Sequence, residues 1–173
     1  MGNPRYAEDL AALDDHWRLE AVVSRRTVLI VVGTTAIADL LERPVAELLR
    51  DRIDEEGEGQ RYHRGIVLTD AGWFANQDLL TNSPFIAIGD KTGNRLTEWL
   101  ADPQREYADL HQWTMGEGVH GLFRKFRPDC PQVALYGDSA ARTRTAVESY
   151  MDKPDGLAAF LELSWPGRQP QPD

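Results

Sequence analysis

Residues 27–41, TVLIVVGTTAIADLL, decide the fold. Val28, Leu29, Ile30, Val31 and Val32 form an unbroken apolar run without polar alternation, the pattern of a strand covered on both faces. Gly33 ends the run. Thr34 or Thr35 then offers a hydroxyl to the free amides of a helix over residues 36–41, and Pro44 stands where a first-turn proline opens a second helix over 45–53. Strand, glycine turn and helix make the first half of a βαβ unit.

The same phrase returns along the chain. Residues 65–69 read as a strand closed by Asp70, 85–88 as a strand closed by Gly89, and 133–136 as a strand closed by Gly137. Helices are predicted over 73–80, 95–101, 140–151 and 156–163. Residues 110–114 mix polar and apolar positions in the manner of an edge strand. Residues 119–126 read as a helix, with Arg124, Lys125 and Arg127 complementing the dipole in its last turn. DEEGEGQ at 54–60 reads as a solvated loop. Strands alternating with helices at this interval predict an α/β, three-layer Rossmann-like or flavodoxin-like fold with a mainly parallel sheet of about five strands. Ahead of the first strand, Tyr6, Leu10, Leu13 and Trp17 recur at helical spacing, which predicts an amphipathic helix over about residues 5–23.

Length and composition set the class. A chain of 173 residues with 42% apolar and 27% charged residues suits one hydrophobic core, so residues 1–165 are expected to form a single domain and 166–173 a flexible tail. The formal net charge of −9 argues against nucleic acid or an anionic membrane as partner, since both require a basic face. Residues 1–18 carry Glu8, Asp9, Asp14 and Asp15 instead of the apolar centre of a secretory signal, and no apolar run approaches the roughly 20 residues of a membrane span. The lone Cys130 cannot form an internal disulfide. A cytoplasmic protein is therefore expected.

Four strand ends, LIVVGTTA, GIVLTDAGWF, FIAIGDKTGN and VALYGDSAA, point to one rim, because ligands of open parallel sheets bind beyond the carboxyl ends of the strands. The candidate ligand-binding residues are Gly33, Thr34, Thr35, Asp70, Trp73, Asp90, Asn94, Asp138 and Ser139. Helix capping is the competing role for the hydroxyl and carboxylate members. An aspartate at a helix N-terminus already uses the positive end of the dipole and repels phosphate. Asp70, Asp90 and Asp138 therefore suit hydroxyl groups or a cation, and the neutral Gly33-Thr34-Thr35 turn suits an anion. Trp73 is placed to wall a base or sugar.

Specific fingerprints are missing. Gly33 is followed by Thr35 and Ala38 where a dinucleotide motif requires glycines, and neither a P-loop nor a G-x-S-x-G turn occurs. IAIGDKTGN, residues 86–94, is similar to the late GD-x-x-x-[ND] motif of haloacid-dehalogenase-type phosphatases. The likeness covers nine residues, and the early D-x-D pair of that family has no counterpart after the first strand. His16, His63, His111 and His120 form no H-x-x-x-H pair, and no metal site is expected. Two functions follow as expectations: binding of a small phosphorylated or nucleotide-like ligand at the rim, or a non-catalytic interaction domain, such as a homodimer joined through the terminal helices and exposed tryptophans. The sequence identifies no cofactor and no reaction.

Overall fold

The computed structural model describes residues 26–102, 104 and 110–167. The expected helix at 5–23 and most of the expected tail lie outside these residues. The described chain contains β1 (Val28–Val32), α1 (Ala36–Leu41), α2 (Arg43–Glu56), β2 (Gly65–Thr69), α3 (Asp70–Ala75), α4 (Gln77–Leu80), β3 (Phe85–Ile88) and α5 (Arg95–Ala101). These are followed by β4 (His111–Gly116), β5 (Val119–Arg127), β6 (Cys130–Gly137), α6 (Ala140–Asp152), a π-helical turn at Pro154–Ala158, and α7 (Ala159–Ser164).

One six-stranded sheet, in the order β2-β1-β3-β6-β5-β4, runs through the molecule. β2, β1, β3 and β6 are mutually parallel, with Val32 opposite both Thr69 and Ile88, and Ile88 opposite Leu135. The rim formed by residues 33, 70, 89 and 137 therefore exists, four strand ends side by side. The remaining pairs, β6–β5 and β5–β4, are antiparallel. The sheet is thus mixed and not the mainly parallel five-stranded one expected.

The difference comes from residues 119–126, which are strand and not helix. Gly116-Glu117-Gly118 turns β4 into β5, with Gly118 at φ +65°, and Pro128-Asp129 turns β5 into β6. Arg124, Lys125 and Arg127 consequently lie in a strand paired with Gln132, Pro131 and Cys130, and no helix dipole acts on them. Other bounds move less. The 73–80 helix is two short helices hinged at Asn76. α2 extends through Glu56, where Asp54 accepts a 2.8 Å hydrogen bond from the Gly65 amide, so the first three residues of the expected 54–60 loop belong to the helix.

Apolar residues fill both sides of the sheet. Ile30, Val32, Ile86, Ile88, Val133 and Leu135 face Leu49 and Ile53 of α2 and Val147 and Phe160 of the C-terminal helices. Leu29, Val31, Phe85, Ala87 and Ala134 face Trp73, Leu80, Leu96 and Leu100 of α3 to α5. This alternation explains the unbroken apolar text of β1: each successive side chain enters a different core.

Candidate functional site

At the C-terminal ends of the parallel strands, the chain leaves β1 toward β2 on one side, while β3 lies on the other. This is the switch point at which open sheets form a crevice. Here the crevice is filled. Asn94, fully buried, donates through Nδ2 to the Val31 and Ile88 carbonyls at 2.8 and 2.9 Å, and its Oδ1 accepts from the Leu96 and Thr97 amides at 2.9 and 3.4 Å. One side chain thus clasps β1 to β3 and caps α5. A Cβ at Gly33 would lie 2.1 Å from the Gly93 carbonyl oxygen, so the β3–α5 loop sits directly on the β1 turn.

The anion seat of the Gly33 turn is also taken, by a residue the sequence reading did not single out. Glu42, between α1 and α2, accepts a 3.3 Å hydrogen bond from the Gly33 amide, and its carboxyl group lies where a Cβ on Gly89 would be. Gly89 has φ +109°, a conformation that favours glycine. Burial pushes the Glu42 carboxyl up from 4.5 to about 7; the Gly33 hydrogen bond opposes this, and the charges of Asp90 and Asp70 add to it. The only sequence sign of this arrangement was a glutamate one residue beyond the first helix.

The remaining candidate residues divide into tied and open groups. Asp70, 2% exposed, accepts a short hydrogen bond from the Thr34 hydroxyl and bonds from the Ala71 and Arg95 amides at 2.7 and 2.9 Å. Thr35 and Ser139 cap α1 and α6 through the Ala38 and Arg142 amides. Trp73 is buried against Phe74, Phe85 and Trp99, and its ring belongs to the core. Asp138 is exposed and paired with Arg142 at 2.6 Å. That pair lies across Gly118, whose carbonyl accepts from the Asp138 amide at 3.2 Å, so it pins the β4–β5 turn to the end of β6.

Asp90 and Asp138 are brought together. They line one cavity of about 430 Å³ with Thr92, His120, Tyr136 and Gln112, one strand over from the filled crevice, above β3 and β6. Asp90 Oδ1 accepts from the Thr92 amide and hydroxyl and the Gly93 amide, at 2.9, 2.7 and 2.9 Å. Its Oδ2 has no hydrogen-bond partner among the described residues. Partial burial works to raise its pKa, but the hydrogen bonds from Thr92 and Gly93, with the charge of Lys91, hold it below the ordinary carboxylate value. Tyr136 is shifted the opposite way, upward, by burial and then by the charge of Asp90. An ionised acceptor and a protonated donor therefore share one wall. His120 packs on Tyr136 with ring centroids 5.3 Å apart, and its Nδ1 is enclosed without a hydrogen-bond partner among the described residues. Tyr136, His120 and Gln112 were not read as site residues, because the strand pairing that gathers them was not visible.

A larger hollow of about 540 Å³ between α3 and α5 sets Lys91 and Arg95 against Glu98 and Asp102. Its charges offset, and it includes neither Asp90 nor Asp138. Among the described residues no group of three or more His, Cys, Asp or Glu side chains is arranged to hold a metal ion, and no helix is long and apolar enough to cross a membrane. No known family model matches the chain, and no curated protein or solved structure is significantly similar to it.

Proposed function

We propose that this protein is a cytoplasmic ligand-binding domain that takes a small, hydroxyl-rich molecule, of the nucleoside or sugar kind, in the cavity above β3 and β6. The observation that carries this reading is the pairing, in one cavity, of the Asp90 carboxylate, with an oxygen unused, and the protonated Tyr136 hydroxyl. A vicinal diol supplies a donor to the first and an acceptor to the second. His120 and Gln112 offer further polar atoms, while Leu110 and Leu122 supply an apolar floor. A phosphate on such a ligand is placed toward Lys91 and away from the Gly33 turn, where Glu42 already occupies the amide and Asp70 and Asp90 add negative charge.

The test is a thermal-shift and NMR titration panel of nucleosides, pentoses, hexoses and their phosphates, with and without magnesium. A ligand at about 100 times its dissociation constant should stabilise the fold by roughly 2.7 kcal/mol. Asp90→Asn and Tyr136→Phe should each weaken that ligand at least about tenfold. No response at millimolar concentration, or equal binding by both variants, overturns the reading.

A second reading, a homodimerisation domain, rests on a different observation. Ile37 and Leu40 on α1 are 70% and 73% exposed, and Leu41, one turn on from Ile37, extends this apolar strip. Such a strip can pair with its own copy across a twofold axis. Light scattering on Leu40→Glu decides it: a dimer that dissociates supports the reading, and a monomeric parent excludes it.

A further inference from the structure

On the other face of the sheet lies a second cavity, of about 350 Å³, between the β4–β5 hairpin and the C-terminal helices. Its walls differ from those of the rim. Trp113, Met115 and Phe123 project from alternate positions of the two strands, and Tyr150, Phe160 and Leu163 close the helical side. Trp113 and Tyr150 approach with ring centroids 6.4 Å apart at 34°. The cavity is therefore largely aromatic, near the lower end of the volumes that hold small ligands, roughly 300–1,000 Å³.

Its mouth is built from an irregular segment. α6 ends at Asp152, and the chain enters a kinked turn, Pro154–Ala158, in which Gly156 has the non-helical angles φ −96°, ψ −120°. A Cβ at Gly156 would lie 2.1 Å from the Tyr150 carbonyl oxygen, so the turn is pressed onto the last winding of α6. Here the turn sets Lys153 and Asp155, two residues apart, at the edge of the aromatic cavity. Both side chains are exposed, and among the described residues neither has an ion-pair or hydrogen-bond partner. An unpaired ammonium and an unpaired carboxylate beside an apolar hollow are complementary to a molecule that carries both charges on an apolar body.

We propose that this cavity binds a large apolar or aromatic α-amino acid, or a close zwitterionic analogue. The side chain enters among Trp113, Phe123 and Phe160, the ligand ammonium faces Asp155 and the ligand carboxylate faces Lys153. The aromatic walls favour a ring-bearing side chain by stacking and edge contacts. This site is separate from the rim cavity, and the two share no residue.

Isothermal titration with L-tryptophan, L-phenylalanine and L-leucine tests it, alongside tryptamine, indole-3-propionate, indole and glycine. An aromatic amino acid should bind with a submillimolar dissociation constant, and glycine should not bind. Asp155→Asn should weaken the amino acid and tryptamine about tenfold and leave indole-3-propionate unchanged. Lys153→Gln should do the reverse for the two analogues. Both substitutions are at exposed positions and retain the fold, which circular dichroism checks. Asp90→Asn, the probe of the rim, should leave amino-acid binding untouched. Three results overturn the proposal: no binding by any of the three amino acids at millimolar concentration, binding indifferent to both variants, or indole binding as tightly as tryptophan.

Discussion

Asn94 and Glu42 show how single side chains settle whether a glycine turn stays open. Asn94 satisfies the ends of two neighbouring strands and the start of a helix with four hydrogen bonds, none reaching solvent. Asn94→Ala removes the side-chain hydrogen bonds to two buried strand carbonyls and to two helix amides, and should cost roughly 2–4 kcal/mol in urea unfolding; a loss under about 0.5 kcal/mol would mean that the clasp contributes little. Glu42 acts through its charge. Its folded-state pKa of about 7 lies above the ordinary 4.5, so the protonated form is the one the fold prefers. That contribution is complete below pH about 4.5 and is lost as pH rises through 7. Glu42→Gln keeps the neutral shape at every pH. It should match the parent near pH 4.5 and exceed it above pH 7.5, by about 1 kcal/mol once solvent screening is allowed for. Paired melts across pH 4.5–8.5 check this, and a constant difference between the two proteins would remove Glu42 as its source.

Among the elements, β5 separates what the sequence displays from what it withholds. The parallel strands are legible because each announces itself twice, by an apolar run and by a glycine or aspartate at its end, and those ends place the rim. β5 carries Val119, Leu122, Phe123 and Phe126 at spacings of three, one and three, which fit a helical stripe. As a strand it is partly covered on both faces, so the polar alternation that marks a half-buried strand is blurred. The informative signals were the turns at Gly116-Glu117-Gly118 and Pro128-Asp129. The strand-end loops that carry the candidate residues were therefore legible, whereas the gathering of Tyr136, His120 and Gln112 by antiparallel pairing was not; the position of Glu42 depended on a helix junction with no motif. Gly121 is the keystone of that pairing. It lies opposite Trp113, and a Cβ there would be 2.3 Å from the indole ring. Gly121→Ala should destabilise by about 1–3 kcal/mol through overpacking. In a Trp113→Ala background the same change should cost far less, and a double-mutant cycle without coupling would contradict the contact.

Across the whole molecule, the sheet joins two kinds of construction. β1, β3 and β6 lie inside it, every residue of β1 and β3 is buried, and helices cover both faces. At one edge β2 is short but still buried along most of its length, with α2 and α3 packed over it. At the other edge β4 is largely exposed; among the described residues it pairs only with β5, and only Trp113 and Met115 of its side chains pack against the core. Local opening free energy follows buried apolar contact, so the two edges should differ although both are outermost. Hydrogen exchange under native conditions should find the amides of β1, β3 and β6 exchanging only near global unfolding, β2 somewhat faster, and β4 at least about 100-fold faster than β1. The asymmetry bears on both proposed sites, because β4 carries Gln112 of the rim cavity and Trp113 of the aromatic one on opposite faces of the same strand. A ligand in either cavity bears on the least protected strand of the sheet and should slow its exchange. Equal protection of β4 and β1 without ligand would show the hairpin to be as rigid as the parallel core, and the two cavities could not then be coupled through local opening of β4.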